Sequence, residues 1–248
     1  MCLFLIARNF FINYPLIIIA NRDEYYSRET KPLGFWENNN HILVGQDLRG
    51  GGTWLGVTKT GKIAALTNYP APKQTKPNPT SRGQAVKEFL RKDISPQDYI
   101  KSLKIRHKEF TGFNLLLGEK GTLNLYSNVD SKCLVINSGI HVMTNTALGQ
   151  RWPKGDFLIN SFKRLRNENP TYLIEKYFKL LGPDNREPPI DYSYKNSIFI
   201  KGHSYGTRSS SVLMFHSNGT LRFLEKSYDG YQKIIGEKSF FLQDAPFI

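Results

Sequence analysis

The sequence predicts an α+β protein in which helix layers cover two packed, mainly antiparallel sheets. Three observations predict it. Short apolar runs, several rich in β-branched residues, recur in blocks along the chain. Segments with helical spacing are grouped between those blocks rather than alternating with single strands. Tight-turn signals such as Lys120-Gly121 and Asn218-Gly219 join neighbouring strands directly. No repeat, low-complexity tract or linker divides the chain, so residues 1–248 are expected to form one domain.

Cys2–Arg8 and Leu16–Asn21 read as buried strands, with a turn at Asn13-Tyr14-Pro15 between them. His41–Gln46, Thr53–Thr58 and Lys62–Asn68 read as three more, so the opening third is expected to be a β-meander. Lys59-Thr60-Gly61 supplies the last turn of that block. Pro70, Pro72, Pro77 and Pro79 mark an extended loop. Ser81 is the expected N-cap of a helix reaching about Lys92, with Gln84 at the capping-box position. Ser95-Pro96 starts a second helix, with proline at its first position. Phe113–Leu117, Leu123–Tyr126, Lys132–Ile136 and His141–Asn145 return to strand. Residues 152–181 read as helical, with Phe157, Leu158, Phe162 and Leu165 on one face and a further helix opening at Pro170. Ser197–Ile200, Ser209–Phe215 and Leu221–Glu225 are the last expected strands.

The chain has 248 residues, 40% of them hydrophobic and 22% charged, which excludes an intrinsically disordered class. Only two cysteines exclude a disulfide framework, and Cys133 reads as core. The N-terminus is apolar, yet no basic residue precedes its first run and Arg8-Asn9 interrupts it, so it is no secretory signal. No apolar stretch approaches the ~20 residues that span a bilayer. The expectation is a protein that is not secreted, cytoplasmic or, in a eukaryote, organelle-associated. The net charge of +13 is uneven: residues 71–110 carry +6 and residues 151–179 carry +4. A basic helix face can bind nucleic acid, but no nucleic-acid motif accompanies it, so a solvated face is favoured and no specific nucleic-acid partner is expected.

Cys2 follows Met1, and methionine is generally removed before a small residue. The mature chain would then carry a thiol and an α-amino group on one carbon. The amine ionises near neutral pH, so it can serve as the thiol's own base. Asn21-Arg22-Asp23-Glu24 ends the second strand. If the first two strands pair antiparallel, a guanidinium and carboxylates lie beside the thiol, and the cation favours the thiolate. Asn68 and Asn145 close two other strands, and asparagine amides can donate to an oxyanion. Arg208 opens a Ser-rich strand. The five histidines lack metal-ligand spacing, and Gly50-Gly51-Gly52 lacks the Lys and helix of a phosphate loop, so no metal site is expected.

Taken in order, Cys2, Asn21-Arg22-Asp23-Glu24, Gly51-Gly52-Thr53-Trp54-Leu55-Gly56, Thr67-Asn68 and Gly206-Thr207-Arg208-Ser209 resemble the Asn-Arg-Asp-Glu (NRDE) family. It is also called the Transport and Golgi Organisation protein two family. The resemblance implies a four-layer αββα sandwich, like the N-terminal-nucleophile hydrolases. By analogy with choloylglycine hydrolases and penicillin V acylases, it implies Cys2 as nucleophile and base, and Asp23 as holder of the α-amino group. Arg22 would polarise the pocket, Asn68 and Asn145 would stabilise the oxyanion, and Arg208 would close the site. In those hydrolases two residues separate the Arg and Asp, whereas Arg22 and Asp23 are adjacent. Adjacent side chains on a strand face opposite sides.

Two functions stay open. One is a cysteine amidohydrolase that cleaves a C–N bond in a small amide-containing ligand and requires no cofactor. The other is a non-catalytic carrier on the same scaffold. For it the resemblance implies an amphiphilic ligand, with haem or acyl-coenzyme A as candidates.

Overall fold

The computed structural model describes residues 2–70, 77–166, 168–183 and 197–247. Met1 and Pro72, which the sequence reading used, lie outside them. The chain opens with β1 (Cys2–Phe11) and β2 (Tyr14–Tyr25). It continues through β3 (Thr30–Trp36), β4 (Asn39–Asp47), β5 (Leu55–Thr58) and β6 (Ile63–Asn68). Helices α1 (Gly83–Arg91) and α2 (Pro96–Ile105) follow. Next come β7 (Phe113–Glu119), β8 (Thr122–Ser127), β9 (Cys133–Val135) and β10 (Gly139–Met143). Helices α3 (Pro153–Lys163) and α4 (Ile174–Leu181) precede β11 (Tyr205–Phe215), β12 (Leu221–Tyr228) and β13 (Ile234–Leu242).

The strands form two antiparallel sheets, ordered β10-β1-β2-β11-β12-β13 and β3-β4-β5-β6-β7-β8-β9. Strand alternation explains the layering. Phe4, Ile6, Ile18 and Leu213 of the first sheet meet Leu43, Leu55, Val57 and Leu116 of the second in a central core. The intervening residues, Leu3, Leu5, Ile17 and Ile19, turn outward and pack under Leu158 and Phe162 of α3 and Tyr177 and Leu181 of α4. On the other side Val44, Ala64, Leu115 and Leu117 are covered by Val86 and Phe89 of α1 and Tyr99 and Leu103 of α2. The order is therefore helix, sheet, sheet, helix. Because both faces of each central strand are buried, these strands read as unbroken apolar runs rather than as alternating patterns.

The sequence reading needs five corrections. The opening third is not one meander, because β1 and β2 belong to one sheet and β3 to β6 to the other. Strands β3 and β13 were not expected; Pro32 and Gly34 mask the first, and the second is an edge strand with exposed Ile234, Ile235 and Phe241. Residues 197–200 form no strand, although 198–200 are buried. Asn21 Nδ2 donates to the Ile198 carbonyl and Ile200 N–H donates to Thr207 Oγ1, so side chains satisfy backbone groups a ladder would otherwise use. Helix α1 starts after Arg82 with no side-chain cap, and the Gln84 side chain reaches the Gly50 carbonyl instead of closing a capping box on Ser81. Cys133 is exposed on the short edge strand β9 rather than in the core. Ser95 does cap α2, accepting the Asp98 N–H at 3.1 Å. Lys120 and Gly121 turn the β7–β8 hairpin with positive φ at both positions.

Candidate active site

The site grows from the β1–β2 ladder, in which Cys2 lies directly opposite Arg22. On the next strand Arg22 faces Ser209 and Asp23 faces Thr207, with Arg208 bulged out between them. Strand β2 runs unbroken through this point, so Arg22 and Asp23 project to opposite faces. Arg22 turns into the space between the sheets and is 5% exposed. Its guanidinium lies 4.2 Å from the centroid of the Trp54 ring and donates to Thr30 Oγ1 at 3.0 Å. Asp23, 1% exposed, turns toward the helix layer and accepts the Thr207 hydroxyl at 2.6 Å.

Trp54 is held by its neighbours. Thr53 Oγ1 donates to the carbonyls of Gly45 and Leu55, and the Trp54 ring covers Gly45 so closely that a Cβ there would lie 2.3 Å from it. The Gly-rich run around Trp54 also brings α1 close, since a Cβ on Gly52 would lie 2.3 Å from the Gly83 carbonyl carbon. These glycines serve close backbone approach.

A pocket of about 290 Å³ opens above Cys2. Arg22, Arg28, Arg82, Trp54 and Asn68 are among its lining residues, as are Asp23, Glu24, Asp47 and Arg49. Arg28 is neutralised: its Nη2 meets Asp47 Oδ2 at 2.6 Å, and its Nε lies 3.1 Å from each oxygen. Burial opposes the Asp47 charge, but the Arg28 and Gly50 hydrogen bonds prevail and hold its carboxyl below the usual range. Arg22, Arg49 and Arg82 form no ion pair among the described residues. Burial pushes both Arg22 and Arg82 down. Burial pushes the Cys2 thiol up, with Arg22 acting against it, and pushes the Asp23 carboxyl up, with Lys154 acting against it.

The expected site residues divide into three groups. Cys2, Arg22, Asp23 and Asn68 line the pocket together. Asn145 stands behind Asn68, giving its Nδ2 to the Asn68 carbonyl at 2.6 Å. It belongs to a polar seam in which Thr67 Oγ1 and Asn114 Nδ2 donate to the Thr144 carbonyl, tying the segment after β10 to β6 and β7. Arg208 does not line the pocket. Its Nη1 gathers the carbonyls of Tyr25, Tyr26 and Arg28 and so shapes the β2–β3 turn.

Sequence reasoning missed Arg28, four residues beyond Glu24, and Asp47, Arg49 and Arg82, which come from segments remote from the Asn21–Glu24 tetrad. It also missed Lys154, a lysine 2% exposed on α3 whose charge acts on Asp23. Nothing in the linear spacing signals these residues. Among the described residues no group of three or more His, Cys, Asp or Glu could hold a metal ion. No described helix is long and apolar enough to cross a membrane.

A family model described as Transport and Golgi organisation 2 matches residues 1–230. The chain belongs to that family. Within the Transport and Golgi organisation 2 family, the Homo sapiens homolog is 31% identical over 242 residues, covering 86% of this chain and 87% of the human protein. Solved structures share the fold at low identity. Penicillin V acylase from Agrobacterium tumefaciens superposes with a TM-score of 0.51 at 13% identity, over 98% of this chain and 86% of the acylase. A mutant conjugated bile acid hydrolase from Clostridium perfringens gives 0.51 at 12% identity, over 100% of this chain and 99% of the hydrolase. This family member therefore has the α+β fold of the N-terminal-nucleophile hydrolases.

Proposed function

We propose that this protein is a cysteine amidohydrolase that cleaves a C–N bond in a small anionic amide. The observation that carries the reading is the register that sets Cys2 opposite Arg22 at the floor of a pocket. In the proposed reaction, removal of Met1 frees the Cys2 amine, which takes the thiol proton. The sulfur attacks the amide carbonyl, and the Asn68 side chain donates to the oxyanion. The ammonium returns its proton to the departing amine as the C–N bond breaks. Water then hydrolyses the thioester, restoring the thiol. Arg22 offsets the desolvation that keeps the buried thiol protonated. Asp23, which accepts the Thr207 hydroxyl, would orient the amine.

The pocket volume of about 290 Å³ suits a small ligand. Arg49 and Arg82, which form no ion pair among the described residues, supply the preference for an anion. The same arginines favour a second reading, a carrier for the acidic groups of haem or acyl-coenzyme A. The deciding experiment is intact-mass analysis of the mature chain, together with turnover of an amide panel by parent and Cys2→Ala protein. A chain that starts at Cys2 and loses turnover in the variant supports the hydrolase. Retained Met1, or equal activity in the variant, removes it. Saturable haemin or acyl-coenzyme A binding without turnover would favour the carrier.

A further inference from the structure

A second cavity of about 160 Å³ shares Arg22 with the Cys2 pocket but is not lined by Cys2. Its wall includes Thr30, Arg208, Glu225, Tyr228 and Lys238. Glu225 is 3% exposed and continues the inward-facing series Leu221 and Phe223 of β12, so a carboxyl occupies a position where the neighbouring rungs carry core side chains. The reaction proposed above does not use it.

Glu225 is tied to the opposite sheet at an irregular place. The β3–β4 register shifts between Lys31 and Gly34. Leu33 lies within this break and gives its N–H to Glu225 Oε1 at 2.8 Å. On the same strand, Thr30 Oγ1 accepts from Arg22 at 3.0 Å and donates to the Arg28 carbonyl at 3.2 Å. One short strand thus receives both Glu225 and Arg22 from the facing sheet.

We propose that Glu225 is a positioning residue for the Cys2 site: it pins the β3 break that carries Thr30, and it faces the Arg22 guanidinium across the shared cavity. This rests on reading Cys2 as the nucleophile. The groups around Glu225 are Arg22 from β2, Thr30 from β3, Arg208 and Ser209 from β11 with Ser211 as its ladder partner there, Tyr228 from its own strand, and Lys238, its ladder partner on β13. None of the three cations forms an ion pair with it. Burial pushes the carboxyl up to about 7, against the Leu33 and Ser209 hydrogen bonds, the Arg22 charge and the Ser211 hydrogen bond. Near neutral pH it therefore passes from neutral to charged. Once charged it offsets Arg22, and a thiolate at Cys2 meets a weaker positive field. Cys2 ionisation is then resisted as pH rises, and its profile spreads over more than one proton step.

The test is iodoacetamide labelling of Cys2 in full-length protein carrying Cys133→Ser, across roughly pH 6 to 9. It compares the parent with Glu225→Gln. Glutamine keeps an acceptor oxygen for Leu33 but cannot ionise. The expected result is a shallow profile in the parent, and a steeper one with severalfold faster labelling above neutrality in the variant. Identical profiles overturn the inference. Should the variant fail to fold, infrared spectroscopy of the parent reads the protonated carboxyl directly. A band that titrates near neutrality and moves to higher pH in Arg22→Gln protein supports the proposal; an unmoved midpoint overturns it. Neither readout requires amide turnover, so failure of the hydrolase reading and failure of this inference are distinguishable. An active hydrolase with unchanged profiles sinks this inference alone.

Discussion

Arg22 stacks on Trp54 with its guanidinium 4.2 Å from the ring centroid, and the same arginine stands opposite Cys2 in the β1–β2 ladder. The ring fixes the cation, and the ladder fixes its distance from the thiol. Burial raises the thiol's pKa, and the Arg22 charge is one of the groups acting against it.

Replacing Arg22 with Gln should therefore slow alkylation of Cys2 roughly tenfold or more at mildly alkaline pH, since one pKa unit is a tenfold change in thiolate. Arg22→Lys should recover only part of the rate, because an ammonium lacks the planar face that lies on Trp54. Alkylation kinetics at fixed pH read both. Equal rates in all three proteins would show that Arg22 does not act on the thiol.

Gly45→Ala should destabilise the fold by about 1–3 kcal/mol through overpacking. The new methyl would sit 2.3 Å from the Trp54 ring. Because Trp54 carries Arg22, the same variant should also slow Cys2 alkylation. Denaturant midpoints give the first effect and labelling the second.

Thr207→Val should cost about 1–3 kcal/mol. It removes the hydroxyl that Asp23 accepts from and that also receives the Ile200 N–H, both at buried positions. A chemical-denaturation midpoint within error of the parent's would show that neither bond contributes.

Asn68 and Asn145 should separate by readout. Asn68→Ala should lower amide turnover by about 10²–10³ if its amide serves the oxyanion. Asn145→Ala, which loses a bond to the Asn68 backbone, should lower stability by about 1 kcal/mol. Turnover normalised to folded protein distinguishes them.

Stability should fall as pH rises toward neutrality. A carboxyl raised from 4.5 to about 7 in the folded state contributes fully below its unfolded value, and that contribution is lost as pH climbs through about 7. The decline is on the order of 3 kcal/mol for Glu225 alone. Glu225→Gln should flatten this part of the curve, as thermal midpoints measured across that range would show.

What the sequence could disclose follows from where each signal resides. The central strands were legible because burial on both faces leaves apolar runs such as Leu16–Ala20. Helix α2 was legible because Ser95-Pro96 is a local start signal. Strand β3 was not, since Lys31, Pro32 and Gly34 are each unfavourable for a strand, and it is held by an edge ladder and by Glu225. The neighbourhood of Cys2 and Arg22 follows from a simple hairpin, and the opposite facing of Arg22 and Asp23 follows from strand alternation. Arg82, Lys154 and Glu225 reach the site or its surroundings from the residue before α1, from α3 and from β12. Their proximity is created by tertiary folding, and no local pattern encodes it.

The hydrogen bond from Leu33 to Glu225 joins two strands that belong to different sheets. Its amide hydrogen can exchange with deuterated solvent only when the two leaves of the sandwich separate at that end. One backbone proton thus clocks how often the pocket region opens, independently of any ligand. Because the acceptor ionises near neutrality, its protection should fall as the solution is made more alkaline, beyond the ordinary base catalysis of exchange.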